Sequence, residues 1–247
     1  MERAVIVTGG TNGIGLACAR RFLAAGDKVF YLGRHQKPEV DEELAALGEC
    51  RFLRCDGAVE GDCRAAVETC VAECGRVDVL VNVAGIVGER SDFCDIDLDD
   101  VRSVIETNLM GTLYMGRFAA PHMRDARSGV IVNIGSICGH IANTENIAYH
   151  ASKGGVSMLT KAEARELAPY GVRAVEVAPA WVHTGMLDPS ILEIGGKLHM
   201  GGRIVEPEEI ADLVFLAASP EASCWNGSCL MGDNGYASFK GLDGFSA

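Results

Sequence analysis

The sequence lacks any long uninterrupted apolar run, and its first segment, MERAVIVTGG, has no cationic stretch ahead of a long apolar core. A helix needs roughly 20 consecutive apolar residues to span a bilayer, and a secretory signal needs those flanking features. We therefore expect no membrane partner and a cytoplasmic location. Basic residues are also scarce: the net charge is −12, which argues against a nucleic-acid partner.

Cysteine is present, but not in the pairs that bind metals or build disulfide scaffolds. None of the ten cysteines forms a CxxC pair, whereas structural zinc sites usually take closely spaced ligands. The chain, with 247 residues, is also much longer than the small domains that depend on disulfides. We therefore expect reduced thiols and no metal site.

Short apolar runs alternate with helical patterns, and no repeat or change of composition divides the chain. The run VDVLVNVAG is apolar without alternation, which is typical of a strand covered on both faces. The order predicts one α/β domain over 1–247, a doubly wound parallel sheet of about seven strands with helices on both faces. Strands are predicted at 3–9, 28–33, 50–56, 77–85, 129–136, 172–179 and 228–233, and helices at 13–26, 40–48, 58–74, 97–120, 146–168 and from near Pro207.

A glycine-rich turn, TGGTNGIG, lies between the first strand and the first helix. Gly9 permits the sharp turn, Gly13 lets a diphosphate approach the backbone, and Gly15 lets the helix pack on the sheet. The helix N-terminus then offers free N–H groups to phosphate. The turn therefore predicts a dinucleotide site that includes Gly9, Thr11, Asn12, Gly13, Ile14 and Gly15; the alternative is an ordinary glycine turn.

The second strand ends in YLGRH, without an acidic residue. An acid at this place holds the ribose 2′-hydroxyl of NAD(H), whereas an arginine accommodates the 2′-phosphate of NADP(H). Gly33 occupies the expected acidic position and Arg34 follows it. Arg34 thus favours NADP(H) over NAD(H), and the alternative is a solvated arginine at a strand end.

The segment AYHASKGG places Tyr149 and Lys153 four residues apart on a predicted helix, so that both lie on one face. A nearby ammonium favours phenolate, and we expect Lys153 to lower the pKa of Tyr149 toward neutrality, where proton transfer is efficient. Ser136 closes the preceding strand at the edge where α/β sheets bind ligands. Either feature alone is a weak signal.

Taken in order, these motifs resemble the short-chain dehydrogenase/reductase family, in its subfamily of about 250 residues with a Rossmann-type fold. The resemblance runs from VIVTGG to GDNGY and includes NVAG, ETNLMG, PAWVHTGM and the closing helix. It implies hydride transfer between a nicotinamide nucleotide and a carbonyl or secondary alcohol. The implied catalytic residues are Asn108, Ser136, Tyr149 and Lys153.

The resemblance also assigns roles to single residues. Tyr149 would exchange a proton with the substrate oxygen, Ser136 would hold that oxygen, and Lys153 would also bind the ribose hydroxyls. Asn108 would anchor a water that links Lys153 to solvent. Further contacts to the nucleotide are implied for Asp56 at the adenine, Thr184 at the carboxamide, and Asn82, Ala84, Gly85, Pro179 and Val182.

The substrate side of the site is less constrained by the sequence. Its candidate residues are Ser136, Cys138, Tyr149, Trp181, His183 and Met186, with a substrate lid over about 183–204 implied by the resemblance. An apolar stripe over 186–198 favours a bulky apolar alcohol or ketone such as a hydroxysteroid. A 3-oxoacyl thioester or a polyol or sugar fits as well, and each candidate residue also has an alternative role in packing.

Three residues depart from the family's motifs: Val83 in NVAG, Ala180 in PAWV and Asn234 in GDNG. None of them removes a proton donor, but alanine disfavours the positive φ that glycine permits, so Ala180 could reshape the loop over the nicotinamide. The family also implies a homotetramer or homodimer, paired through the helix of Tyr149 and through the last helix and strand. A cofactor-binding regulator without catalysis is the non-enzymatic alternative.

Overall fold

The sheet has seven strands in the order β3-β2-β1-β4-β5-β6-β7, all parallel. The computed structural model describes residues 2–185, 187 and 194–238. The strands are β1 Ala4–Val7, β2 Lys28–Gly33, β3 Cys50–Arg54, β4 Val79–Asn82, β5 Gly129–Ile134, β6 Val172–Pro179 and β7 Cys229–Gly232. The predicted doubly wound parallel sheet is therefore confirmed.

Helices cover both faces of this sheet. They are α1 Gly13–Leu23, α2 Pro38–Leu47, α3 Glu60–Cys74, α4 Leu98–Ile105, α5 Gly111–Ala126, α6 Ile147–Leu167 and α7 Pro207–Ala217. Within the described part of the chain, no helix combines the length and the hydropathy that a bilayer crossing requires.

Two apolar clusters fill the space between the sheet and its helices. One lies under α1, α2 and α7 and includes Val7, Phe22 and Ile210. The other lies under α3 and α5 and includes Ile6, Cys63 and Met115. Consecutive residues of the inner strands alternate between the two clusters, as the pleat requires, so these strands are buried on both sides, whereas the edge strands β3 and β7 are partly exposed.

The structure corrects the single helix predicted over 97–120. That region is α4, then one π-helical turn over Glu106–Met110, then α5, which continues through Pro121 to Ala126. A π turn adds one residue to a helix and is common at functional sites. The turn approaches α6 closely, because a Cβ on Gly155 would lie 2.7 Å from Leu109 Cδ2.

Most predicted strands are a few residues too long at their carboxyl ends. The run RAVIVTG pairs only over Ala4–Val7, and VDVLVNVAG only over Val79–Asn82. The apolar residues beyond these limits leave the ladder and form the turns at one edge of the sheet. Strand order reverses between β1 and β4, and ligands of α/β proteins bind at such a switch point.

Candidate active site

The glycine-rich turn lies at this switch point and has the backbone that only glycine adopts readily. Gly9 and Gly13 have φ angles of 65° and 49°, in the left-handed region. A Cβ on Gly15 would lie 2.2 Å from the carbonyl oxygen of Gly9. The turn therefore requires the glycines that the sequence provides at all three positions.

The N-terminus of α1 is open for an anion. Its N-cap residue, Asn12, makes no side-chain capping hydrogen bond, and the first N–H groups of a helix have no partner within the helix. Gly13 lies against Thr184, with 3.2 Å between its ideal Cβ and Thr184 Cγ2. A side chain at Gly13 would fill the space that a diphosphate needs, so the turn fits such a group.

The end of β2 has no room for the acidic residue of an NAD site. A Cβ at Gly33 would lie 2.8 Å from Thr11 Cγ2, and Thr11 is buried. Arg34, the next residue, is exposed and is available to an external phosphate. The structure thus gives a steric reason for the missing carboxylate.

Thr8 ties the ends of β1 and β4 together at the switch point. Its Oγ1 accepts hydrogen bonds from the backbone N–H groups of Val83 and Ala84, at 2.9 and 3.0 Å. Sequence reasoning missed this residue, although it stands in the glycine motif. Thr8 fixes the NVAG segment, so that Gly85 faces Asn108 and Lys153 across a gap too small for a larger side chain.

Ser136 and Tyr149 meet at the carboxyl end of β5. The hydroxyl group of Ser136 lies close enough to that of Tyr149 to lower the pKa of the phenol. Ser136 Oγ accepts a hydrogen bond from the backbone N–H of Cys138 at 3.1 Å, and this bond caps a short 3₁₀ turn over Ile137–Gly139. The turn fixes the serine hydroxyl beside the phenol.

Lys153 is buried one turn along α6 from Tyr149, with 4% of its surface exposed. Its ammonium donates to the carbonyl oxygen of Ile134 at 2.8 Å and lies 5.6 Å from the centre of the Tyr149 ring. Asn108, in the π turn, exchanges hydrogen bonds with the backbone of Ile86 at 2.8 Å. All four predicted catalytic residues therefore lie in one region.

The pKa of Tyr149 does not shift as the sequence predicts. Burial raises it to about 12, the nearby Cys138 also raises it, and the nearby hydroxyl group of Ser136 acts in the opposite direction. Burial lowers the pKa of Lys153 to about 8, while Glu176 opposes that shift. The predicted lowering of the phenol pKa by Lys153 is wrong for this arrangement, because the ammonium is directed at a carbonyl oxygen and desolvation dominates.

A cluster of three rings lies beside these catalytic residues. The ring centres of Trp181 and Tyr236 are 5.8 Å apart, and those of His199 and Tyr236 are 5.3 Å apart. Tyr236 lies close enough to Cys138 for the thiol to raise the pKa of the phenol, after the larger effect of burial. The rings therefore extend from the predicted lid toward Ser136.

Sequence reasoning missed His199, which belongs to no motif, and Tyr236, which ends the GDNGY motif but was given no role; the two lie far apart in the chain. His199 is 2% exposed, its Nδ1 lies 2.7 Å from the carbonyl oxygen of Gly195, and its Nε2 has no partner among the described residues. Ser152 was missed as well; it accepts a hydrogen bond from Asn108 Nδ2 at 3.0 Å.

The other predicted site residues differ in how deeply they are buried and in how near they lie to the catalytic residues. His183 is exposed and pairs with Glu206 at 3.3 Å, so it is directed away from the ring cluster toward the start of α7. Met186 lies outside the described residues, as does 188–193 of the predicted lid. Cys138, Trp181, Asp56 and Ile14 are half-buried, whereas Pro179 and Val182 are buried.

Two departures from the family's motifs keep the backbone unstrained. Ala180 does not adopt a positive φ, so the expected conflict at this position is absent. Asn234 does adopt one, with φ of 46°, and asparagine tolerates this region better than most residues. The loop ends therefore need no glycine at either place.

One row of polar residues crosses the sheet under α6. Asn82, Asn133, Glu176 and Cys229 are successive partners on β4, β5, β6 and β7. Asn133 accepts from Asn82 at 2.8 Å and donates to Glu163 of α6, also at 2.8 Å. Asn82 Nδ2 thus donates inside the protein, while its buried Oδ1 has no hydrogen-bond partner among the described residues. The nucleotide contact predicted for Asn82 stays a prediction.

Comparisons with known proteins agree with this geometry. A family model described as short chain dehydrogenase matches residues 3–193. The chain is 35% identical to the short-chain reductase protein NovJ of Streptomyces niveus, over 95% of this chain and 94% of that protein. It is 34% identical to cis-4-hydroxycyclohexanecarboxylate dehydrogenase of Sinomonas cyclohexanicum, over 95% and 96%.

The fold is also similar to solved structures. The crystal structure of levodione reductase has a TM-score of 0.88 and 27% identity, and the match covers 97% of this chain and all of that one. The fold, the ordered motifs and these similarities have one explanation. The chain is a member of the short-chain dehydrogenase/reductase family and an oxidoreductase.

Proposed function

We propose that the chain transfers a hydride between NADP(H) and a bulky apolar ketone or secondary alcohol. One observation carries this proposal: the hydroxyl group of Ser136 lies close enough to that of Tyr149 to act on the pKa of the phenol, and the buried ammonium of Lys153 lies 5.6 Å from the centre of the Tyr149 ring. Hydroxyl groups arranged in this way can hold a carbonyl oxygen and supply its proton. The glycine turn at the neighbouring strand end brings a dinucleotide site to the same edge.

The residues of this edge fit a nicotinamide nucleotide. Gly9, Gly13 and the open N-terminus of α1 would hold its diphosphate, and Arg34 would pair with a 2′-phosphate. Asp56 would reach the adenine and Thr184 the carboxamide. Bound there, the nucleotide supplies or accepts the hydride, and the protein supplies position and electrostatics.

The chain's own residues would divide the proton chemistry. Ser136 holds the substrate oxygen, and Tyr149 passes its hydroxyl proton to that oxygen as a ketone is reduced. A phenol with a raised pKa is neutral at physiological pH, which is the form that donates. Lys153 binds the ribose hydroxyls, and Asn108 holds the water that links Lys153 to solvent.

The three-ring cluster of Trp181, His199 and Tyr236 supports a bulky apolar substrate. Trp181 and Tyr236 are half-buried and present aromatic surface, which buried His199 supports from behind; such a surface suits a cyclic compound that carries few polar groups. The relative from Sinomonas cyclohexanicum is named for a hydroxylated cyclohexane ring. We therefore propose cyclic ketones and secondary alcohols, including hydroxysteroids, ahead of sugars and acyl thioesters.

The function is tested by an assay in which absorbance reports the oxidation of the reduced nucleotide. The substrates are substituted cyclohexanones, ketosteroids, a 3-oxoacyl thioester and keto sugars, each with NADPH and with NADH. We expect turnover with a cyclic ketone. Turnover confined to sugars or thioesters would refute the substrate class, and nucleotide binding without any turnover would favour a regulator.

Substitution of Arg34 tests the nucleotide preference. Arg34→Ala removes a charge-assisted contact to the 2′-phosphate, so kcat/KM for NADPH should fall about tenfold or more while that for NADH is retained. Arg102→Ala, at an exposed arginine of α4, is the matched control. An equal loss with both nucleotides would contradict the assignment.

We also propose that the chain forms a homotetramer or homodimer through α6. Met158 of α6 is 63% exposed and Leu113 of α5 is 37% exposed, and such apolar positions on adjacent helices favour a partner surface. Sizing chromatography with light scattering should give a multiple of the 26.2 kDa chain mass. Elution as a monomer at micromolar concentration would refute the assembly.

A further inference from the structure

Three side chains with metal-binding atoms meet behind Ser136, although they lie far apart in the sequence. His140 follows the 3₁₀ turn Ile137–Gly139, Glu176 lies in the middle of β6, and Cys229 begins β7. The ligand atoms of the three residues lie within 4.8 Å of one another. His140 and Glu176 are 36 positions apart, and His140 and Cys229 are 89 apart, so sequence spacing gives no sign of the cluster.

Glu176 is an unusual residue for the centre of a parallel strand. It is 1% exposed, and its Oε2 has no hydrogen-bond partner within the described residues. A buried carboxylate is costly unless it is paired with a cation or fully hydrogen-bonded. Only a glycine fits beside it, because a Cβ on Gly135 would lie 2.0 Å from Glu176 Oε1. The fold therefore makes room for a carboxylate whose hydrogen bonding is incomplete.

The distances in the cluster suit a small tetrahedral ion. His140 Nε2 lies 3.1 Å from Glu176 Oε1 and 3.3 Å from Cys229 Sγ. With bonds of the length that zinc forms, nitrogen, oxygen and sulfur ligands of one tetrahedral ion lie about 3.3–3.6 Å apart. Small side-chain rotations would place all three atoms on one ion.

We propose that His140, Glu176 and Cys229 form a Zn²⁺ site with three protein ligands and a fourth position open to solvent. The imidazole and thiolate select zinc over magnesium or calcium, which prefer oxygen ligands. His140 and Cys229 are partly exposed, which gives the ion a path from solvent. None of the three ligands is one of the proposed catalytic residues, although Glu176 lies near enough to Lys153 to act on its pKa. Cysteine spacing alone predicts no metal here.

The proposed ion would connect three regions that are neighbours in the sheet. It would hold the segment after β5 to the centre of β6 and to the start of β7. The last two are already partners in the sheet, since Glu176 pairs with Cys229. The segment after β5, which carries Ser136, is joined to β6 by the backbone bond from Gly135 to Val177, and His140 connects it to Glu176 and Cys229. Zinc should therefore stabilise the folded state rather than take part in hydride transfer.

The first test uses Co²⁺ as a spectroscopic probe of the chelator-treated protein. We expect intense visible bands and a thiolate-to-cobalt charge-transfer band, both of which Zn²⁺ displaces. Cys229→Ser and His140→Gln should each remove the charge-transfer band or weaken Co²⁺ affinity at least tenfold. Cys224→Ser and Cys94→Ser, at exposed thiols outside the cluster, are the matched controls and should leave the bands unchanged.

The second test measures thermal unfolding and does not depend on catalysis. Zn²⁺ at a hundred times its Kd should raise the Tm of the chelator-treated protein by roughly 5–10 °C. The shift should vanish in Cys229→Ser and in His140→Gln, each of which is checked for a cooperative transition without metal. No charge-transfer band in the wild-type protein, or equal binding by Cys229→Ser, would overturn the proposal whatever the enzyme's substrate proves to be.

Discussion

The two faces of the sheet are built from the same strands but differ in chemistry. Under α1, α2 and α7 the strands present an apolar cluster, with Val7, Val177 and Ile210 fully buried. Under α3, α5 and α6 the strands also have apolar residues, but four of them carry the polar row that runs from Asn82 at the end of β4 to Cys229 at the start of β7. One face is thus mainly an apolar core, and the other combines an apolar core with a polar row.

This difference shows where a parallel sheet tolerates buried polar residues. A buried polar group is tolerated where partners surround it, and α6 supplies them: Thr160 and Glu163 both bind Asn133. The same helix carries Tyr149 and Lys153. The helix that bears the proposed catalytic groups therefore also stabilises the polar row beneath them, and substitutions on the two faces should have different consequences.

The largest effect is expected on the polar side, at the phenol. Tyr149→Phe removes the proton donor and should reduce kcat about 10²–10⁴-fold, in line with general acid catalysis. The free energy of unfolding and the Kd for the nucleotide should change little, because the ring remains. Tyr170→Phe, at an exposed tyrosine, is the control. Turnover retained in Tyr149→Phe would remove Tyr149 from the mechanism.

On the apolar side, the expected effect is on stability alone. Ile210→Ala leaves a cavity under α7 and should cost about 2–5 kcal/mol of unfolding free energy, as measured by denaturant titration. Leu216→Ala, at an exposed position of the same helix, should cost less than about 0.5 kcal/mol. The kcat of folded Ile210→Ala protein should stay within about twofold of wild type. A large fall in kcat would show that the apolar face also shapes the site.

Disruption of the polar row should affect both stability and activity. Asn133→Leu keeps the side-chain shape but leaves the amide of Asn82 and the carboxylate of Glu163 without their shared partner. We expect a loss of about 1–3 kcal/mol in unfolding free energy and a lower kcat. Thr69→Ala, at a half-buried residue of α3 whose side chain bonds to the backbone of its own helix, is the control. An Asn133→Leu protein with a higher unfolding free energy and a lower kcat would contradict the expected loss of stability. It would show that the polar row supports activity but destabilises the folded state.

The smallest effect concerns the pH dependence of stability. Burial raises the pKa of Glu163 from 4.5 to about 7, and the bond from Asn133 opposes the shift. The folded state therefore keeps a proton that the unfolded state has lost, so this contribution is full below pH 4.5 and is lost as the pH rises through about 7. Because the side chain is only half-buried by area, we expect Glu163→Gln to gain about 1–2 kcal/mol over wild type near pH 8 and much less near pH 5.

Denaturant titrations of both proteins at the two pH values measure this difference. Glu166→Gln on the exposed side of α6 is the matched control and should show no such pH-dependent gain. An equal gain near pH 5 and near pH 8 would mean that Glu163 is charged throughout, and that the polar row holds its carboxylate as an anion.

The sequence predicted the elements and their order well, because patterns of apolar residues are local. It also placed Ser136, Tyr149 and Lys153 at one edge, since parallel strands end together and residues four apart share a helix face. The steric need for glycine at Gly9, Gly13 and Gly15 was equally open to prediction. These features depend on neighbouring residues or on the topology of the fold.

Features that depend on contacts between residues far apart in the chain could not be predicted from the sequence. The raised pKa of Tyr149 arises from burial and from the nearby Cys138. The Lys153 ammonium, which was expected to lower it, donates to the carbonyl oxygen of Ile134. The row from Asn82 to Cys229 depends on strand register. One signal was visible, the charge of Glu176 inside the apolar run VRAVEVAP, but no motif connected it to His140 or Cys229.

The π turn over Glu106–Met110 has a consequence for insertions and deletions. An α-helix advances about 100° per residue, so removal of one residue here would rotate α4 against α5 by that angle. Asn108 would then lose its hydrogen bonds to Ser152 and Ile86, even though every other side chain was kept. This helix therefore has a fixed length, and a one-residue deletion within it should cost the site far more than most substitutions on its exposed side.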